Sequence, residues 1–330
     1  MLDLVDELIE DGNKIRHRLE CSNFQLMNRT FSLCLDKTIP IMSQLEEAFV
    51  RSESTGEFKL IVSSNKNEHF EKYLNSFGRK YGSRIQRQSQ EINQKSIAID
   101  LGINAIYYFD HGAKIAGVWL ASRSEYYLPT FITPFRTVIN WLMKEESGVI
   151  IHASAIDTAG KGLLIAGASG SGKSTLSLYA AANGKGILGD DAIAYSNGNL
   201  YSIYRFAKAK PGLLNLDSGK FATRQYSNVL PEDQKTSIDL MASRISFIRK
   251  SPLRAIIFPR VGDEPSINSI GRSQALKIMA PNTMSELLGG TKCSFDVIAE
   301  LCRNYPSFEL TLGGNLDENN EFLLKLAEKV

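Results

Sequence analysis

The stretch LLIAGASGSGKSTLSLYAAANGKGILGDD, residues 163–191, decides how this chain folds. Leu163–Ala166 is a short apolar run bounded by a glycine turn, the pattern of a buried strand. Gly167, Ala168, Ser169, Gly170, Ser171, Gly172, Lys173 and Ser174 then satisfy the spacing Gly-x-x-x-x-Gly-Lys-Ser, with Thr175 next. Small residues let backbone N–H groups curl around an anion. A helix predicted over Ser174–Ala182, ended by Gly184, aims its positive end at the same point. Lys173 is then placed to reach β- and γ-phosphates, and the Ser174 hydroxyl to bind Mg²⁺. Strand, loop and helix together make Gly167–Thr175 a cradle for a nucleoside triphosphate, with ATP and Mg²⁺ as the expected ligands.

After the helix, Lys185–Leu188 reads as a short strand that runs into Gly189-Asp190-Asp191. Asp190 follows Lys173 by 17 positions. That interval holds one three-turn helix and a tight turn, about the shortest crossover that returns to a parallel strand. Strand carboxyl ends in such a sheet face one crevice, so the acid pair is expected beside the triphosphate. Two adjacent carboxylates can divide the work: one contacts Mg²⁺, the other accepts a proton from an attacking hydroxyl.

Upstream, VIIHASAI (149–156) reads as a strand and DTAGKG (157–162) as a turn, so Val149–Gly167 is a predicted antiparallel hairpin. With Ile156 opposite Gly162, His152 falls opposite Ala166, within one residue, at the mouth of the loop. A histidine there can orient an Asp or touch a transferring phosphoryl group. Such a group needs more positive charge than Lys173 alone. The candidates are Arg205, Lys208, Arg244, Arg249 and Arg260, with Arg260 foremost because it ends an apolar strand after a Pro.

The order IHASAI, GASGSGKST, GDD resembles the catalytic domain of HPr kinase/phosphorylase. It resembles still more the HPr-kinase-related serine kinases, including those of peptide-modification clusters. The resemblance spans about Pro134–Val330 and is strongest over Val149–Ala194. AIIFPR (255–260) and ELCRNYPSFELTLGGNLD (300–317) look like the tails of those kinases. It implies an α/β fold, a P-loop kinase domain of the HPr kinase/phosphoenolpyruvate carboxykinase type, and phosphorylation of a Ser or Thr hydroxyl. By position it makes His152 the active-site histidine, Asp190 the base and Asp191 the metal contact. The glycine-rich signature that HPr kinases carry after the acid motif is replaced here by YRFAKAKPGLLNL (204–216), which argues against HPr itself as the acceptor.

The rest of the chain frames this domain. Residues 1–133 are predicted to form an N-terminal α+β domain that serves acceptor recognition or oligomer formation, and 134–330 the kinase domain. The N-terminal domain opens with a helix over Leu2–Leu19. Strands follow at 31–36, 58–64, 96–102, 105–111 and 114–122, with a helix at 41–49 and a turn at HGAK (111–114). The segment 129–134, PTFITP, breaks the pattern before a helix at 135–144. Later strands are expected at 254–258 and 307–312, and helices at 273–279, 284–288 and 295–304. A net charge of +2 is too small to point to nucleic acid, and the basic run Arg79–Lys95 reads as a solvated face. No apolar run approaches the roughly 20 residues of a membrane span. Cys21, Cys34, Cys293 and Cys302 lack metal-ligand spacing and read as thiols of a cytoplasmic protein. The acceptor is expected to be a peptide, a protein or a small molecule bearing a hydroxyl; a homo-oligomer is left open. Competing readings are a P-loop ATPase or GTPase switch (the GTPase form being the one that needs a base-reading motif), a nucleotide sensor and a carboxykinase-like enzyme. The first lacks a guanine-reading motif, the second does not account for the intact Lys-Ser and Asp pair, and the third needs a second metal site.

Overall fold

The computed structural model describes residues 2–38, 42–64, 67–81, 87–121, 132–210, 219–224, 236–287 and 292–330. These fall into two compact units. One runs to Leu142 and takes in Leu287; the other holds Met143–Glu286 and the residues from Lys292 onward. The division falls inside a helix, Arg136–Lys144 (α4 below). Of the segments read from sequence, residues 41, 82–86, 122, 129–131, 211–216 and 288 lie outside the described residues.

The first unit contains α1 (Leu2–Lys14), β1 (Leu19–Leu26), β2 (Arg29–Asp36), α2 (Met42–Glu47), β3 (Phe58–Ser63), α3 (Glu68–Tyr81), β4 (Arg87–Ile92), β5 (Lys95–Asp100), β6 (Ala105–Asp110), β7 (Ile115–Leu120) and most of α4. Its strands form one mixed sheet in the order β1-β2-β3-β7-β6-β5-β4. The helical spacing of Leu4, Val5 and Leu8 buries that stripe of α1 with Phe70 and Leu74 of α3, over Ile97, Ile99, Ile106 and Trp119 of the sheet. The HGAK segment is a turn between β6 and β7, with Asp110 Oδ1 accepting from the Ala113 N–H at 2.9 Å.

Three expectations for this unit are corrected. The first helix stops at Lys14, and after one 3₁₀ turn Leu19 opens β1. Part of the basic run, Arg87–Ile92, is a strand rather than a loop or a helix. Cys21 and Cys34 are not thiols: they stand directly opposite each other in the β1–β2 ladder, with Cα atoms 4.1 Å apart, and form a disulfide. Opposed positions of an antiparallel pair bring Cβ atoms close, a proximity that the spacing of 13 residues does not announce. Cys293 is exposed and Cys302 buried, and burial pushes the Cys302 thiol up to about 11. Peptide mapping without reductant should therefore find Cys21 linked to Cys34, Cys293 alkylated quickly, and Cys302 alkylated only on unfolding. Reduction should lower stability by about 2–3 kcal/mol in a denaturant titration; an unchanged midpoint would count against the bond.

The second unit contains β8 (Val149–Ile151), β9 (Ala153–Thr158), β10 (Lys161–Ala166), α5 (Lys173–Ala182), β11 (Gly186–Gly189), β12 (Ile193–Ser196), β13 (Asn199–Ser202), β14 (Phe206–Ala209), β15 (Ala222–Arg224), β16 (Thr236–Asp239), β17 (Ser246–Phe247), β18 (Lys250–Val261), β19 (Ser266–Ile270), α6 (Arg272–Met284), α7 (Lys292–Asn304), β20 (Ser307–Leu312) and α8 (Leu316–Lys329). Ten of these strands form one mixed sheet, β17-β11-β9-β10-β18-β13-β12-β8, with β20 also on β18 and β19 on β20. The long strand β18 is the branch point. Its first half pairs β13, its second half β20, and β10 lies alongside between them. A separate sheet has the order β14-β16-β15.

Helix α5 is apolar on two sides because it is covered on two sides. Leu176 and Ala180 pack with Leu323, Leu326 and Ala327 of α8 against Leu163, Ile165 and Ile257 of the large sheet. Leu178 and Ala181 pack against Ala207, Ala209 and Ile238 of the small one. The helix ends as read from sequence: Gly184 adopts φ 85°, its N–H bonds Ala181 O, and the Lys185 N–H bonds Ala180 O, a Schellman closure.

Two details differ from the sequence reading. The run 149–156 is two strands broken at His152: β8 pairs β12, whereas β9 pairs β10 and β11. And 284–288 does not start a helix; Met284 is the last residue of α6.

Candidate active site

The Gly-rich loop links β10 to α5, and its shape follows from its glycines. Gly172 sits at the helix N-terminus with φ 102°, a conformation that costs an L-residue roughly 1–2 kcal/mol. A Cβ at that position would also lie 2.5 Å from Leu312 Cδ1. Gly172→Ala should therefore cost about 2 kcal/mol in thermal melting and distort the cradle; a variant as stable as the parent would show that the loop relaxes freely.

Lys173 begins α5, one residue earlier than expected, and its side chain turns back over the loop. Its Nζ donates to Gly167 O at 2.8 Å and to Ala168 O at 3.0 Å. The ammonium is thus held against the Gly-rich loop by neutral carbonyls. An arriving phosphate, carrying full negative charge, is the stronger acceptor.

The acid pair lies at the end of β11, and the chain reaches it by a crossover different from the one read in the sequence. Both β10 and β11 run antiparallel to β9, which lies between them. The two strands therefore point the same way, but the crossover skips one strand. A register shift in β11 between Ile187 and Gly189 marks a bulge just before the pair, a device that re-aims the following side chains. Asp191 then takes φ 64°, and the Ala192 N–H closes a three-residue turn on Asp190 O at 2.8 Å. Such a turn is rare and strained in an L-residue, and it gives the two carboxylates different surroundings.

Asp190 is enclosed. Its Oδ1 accepts from the Ser154 hydroxyl at 2.5 Å and from the Ser174 hydroxyl at 2.9 Å, and its Oδ2 from the Lys208 N–H at 3.3 Å. Burial, and then the neighbouring Asp191 charge, push its pKa above the usual carboxylate value. The three hydrogen bonds oppose that shift without cancelling it. Asp191 is more open, and its Oδ2 meets the Lys208 ammonium at 3.1 Å.

Ser154 is the residue that the sequence reading missed. It lies on β9, opposite Ile165 of β10, and only the insertion of β9 between loop strand and acid strand brings it to Asp190. Lys208, one of five candidate cations, touches both acids from β14. Arg205 is instead committed to Asp239, donating from Nε at 3.0 Å and from a terminal nitrogen. Arg244 and Arg249 are exposed. Arg260, the penultimate residue of β18, has its side chain 70 % exposed and 3.7 Å from Glu309 Oε1. It faces the loop from the side away from the acid pair.

His152 sits in the bend between β8 and β9, half-buried, and its N–H donates to Thr283 Oγ1 at 3.3 Å. Ile156 pairs Leu163 and Ala153 pairs Ala166, one step from the expected register. His152 thus falls level with Gly167 at the start of the cradle.

The oxygen set at Ser174 and Asp190 suits Mg²⁺, a hard cation that keeps waters and phosphate oxygens and needs only one or two protein ligands. Asp191 meets the Lys208 ammonium, whereas the donors to Asp190 named above are all neutral, so a dication beside Asp190 would offset its charge. Among the described residues no helix is long and apolar enough to cross a membrane. Comparison of the sequence with known protein families and with curated proteins finds no match.

Proposed function

We propose that this chain is a Mg²⁺-dependent, ATP-using kinase that transfers the γ-phosphoryl group to a hydroxyl, that of a Ser or Thr in a peptide or protein. The reading rests on one observation: the loop hydroxyl Ser174 and the buried Asp190 are hydrogen-bonded at 2.9 Å, next to a second carboxylate with its own cation. That second, more open carboxylate can take the proton of an attacking hydroxyl, and because it could equally serve water, the acceptor assay below divides kinase from ATPase switch.

Lys173 and the loop amides hold the β- and γ-phosphates. Ser174 and Asp190 would hold Mg²⁺, which supplies charge neutralisation between phosphate oxygens when bound. The sequence alone divided the two acids the other way. Asp190 is enclosed by three donors, two on Oδ1 and one on Oδ2, which leaves an acceptor position on Oδ2 for a metal but no room for an incoming hydroxyl. Asp191 has room to take the proton of an incoming hydroxyl. Lys208 pairs with Asp191 at 3.1 Å and adds positive charge near the transferring group. His152 lies at the same mouth and would orient the acceptor or the phosphoryl group. The kinase domain is proposed to be of the HPr-kinase-related type, with the first unit recognising the acceptor or joining copies of the chain. The supply of ATP argues for a cytoplasmic location; the Cys21–Cys34 bond is more usual in oxidising surroundings, so its redox state in cells bears on this point.

The test is incubation with γ-labelled ATP, Mg²⁺ and Ser- or Thr-containing peptides, small hydroxyl compounds included as a second arm. Label on a peptide hydroxyl supports the reading, and label on a small molecule changes the acceptor class. ADP and free phosphate with no labelled acceptor would favour the ATPase switch.

A further inference from the structure

The strand order gives the nucleotide site two sides. Strands β11, β10, β18 and β20 all end at the same edge, since β10 is parallel to β18, β18 to β20, and β11 shares the direction of β10. With strands about 4.8 Å apart, the acid pair stands two strands to one side of the Gly-rich loop. The ends of β18 and β20 stand one and two strands to the other. A triphosphate whose γ end meets the acid pair must send its 5′ end the opposite way.

A cleft of about 360 Å³ opens there, between Gly167–Ser171 and a wall made by Phe258, Arg260, Val261, Ile278 and Glu309. The volume is that of a small-molecule site. Val261 and Ile278 offer apolar surface for a flat base, with the buried Phe258 in the wall behind them. Val261 is 66 % exposed, one of few large apolar side chains left open among the described residues. Phe258 and Glu309 are partners in the β18–β20 register, so the Glu309 carboxylate stands beside this apolar surface and can accept from ribose hydroxyls or an exocyclic amine. Arg260, 3.7 Å from Glu309, orients that carboxylate.

We infer that this cleft seats the nucleoside, base and ribose, and that the acceptor hydroxyl enters from the acid-pair side. Arg260 then serves nucleotide recognition rather than phosphoryl transfer. The inference rests on the reading of Gly167–Ser174 as a triphosphate cradle, and the experiment separates the two. Titration calorimetry would compare Mg·ATP with inorganic tripolyphosphate on the parent chain, on Ile278→Trp, which fills the cleft, and on Glu309→Gln, which keeps its shape. The readout is the ratio of the two dissociation constants, because long-range charge acts on both ligands. Either variant should weaken ATP relative to tripolyphosphate, about tenfold for Ile278→Trp, and tripolyphosphate binding by the variants reports an intact fold. An unchanged ratio in both variants overturns the cleft assignment while leaving the cradle standing. A parent chain that binds neither ligand overturns the cradle itself.

Discussion

Lys173→Ala should reduce phosphoryl transfer by about 10²–10³-fold or more, the largest loss expected from a single side chain here. The side chain is buried, and its ammonium lies within 3.0 Å of two loop carbonyls. Bound phosphate would replace those carbonyls with charged oxygens in a water-poor site, where one charge-assisted contact is worth about 3–4 kcal/mol in the transition state. Truncation also removes a donor from Gly167 O and Ala168 O, so a loss of about 1–2 kcal/mol in stability is expected alongside. Lys173→Met keeps the bulk of the stem, and both variants should be followed by turnover and by thermal melting. Turnover that persists in two folded variants would remove Lys173 from the mechanism.

Asp191→Asn should lower turnover by about 10²–10⁴-fold while Mg·ATP still binds, as loss of a general base does. Asp190→Asn should behave differently. An amide cannot accept both hydroxyls on one oxygen and the Lys208 N–H on the other, because its second terminal atom is a donor. Metal affinity and local packing should both suffer. Measuring the Mg²⁺ concentration needed for half-maximal nucleotide binding separates the two: it should rise for Asp190→Asn and stay put for Asp191→Asn. The reverse pattern would restore the division of labour that sequence position suggested.

What was legible in the sequence was local. The loop between β10 and α5, the Gly184 closure, the strand at Ser307–Leu312 and the near register of the 149–167 hairpin all follow from residues within a few turns of one another. What was missed depends on long-range pairing. Leu19–Leu26 and Arg87–Ile92 are the edge strands of their sheet, and neither carries the apolar alternation that marks a half-buried strand. Ser154 reads as one small residue in a β run; its role exists only because β9 passes between the loop strand and the acid strand. Lys208 looked like any of five cations until β14 carried it to the acid pair. Arg260 was singled out for its place after an apolar strand end, and the structure gives that place to the far side of the loop. The cysteines read as thiols because they lack metal-ligand spacing, and spacing is silent about Cys21 and Cys34 being opposed in a ladder.

Ser174 and Asp190 would hold Mg²⁺ beside a polyphosphate bound by the Gly-rich loop. The most direct measurement is electron paramagnetic resonance of Mn²⁺ added as a Mg²⁺ substitute, with and without a non-hydrolysable ATP analogue. Nucleotide-dependent Mn²⁺ binding that is lost in Ser174→Ala and weakened in Asp190→Asn is the predicted result. Mn²⁺ binding that ignores the nucleotide, or that survives unchanged in Ser174→Ala, would contradict it.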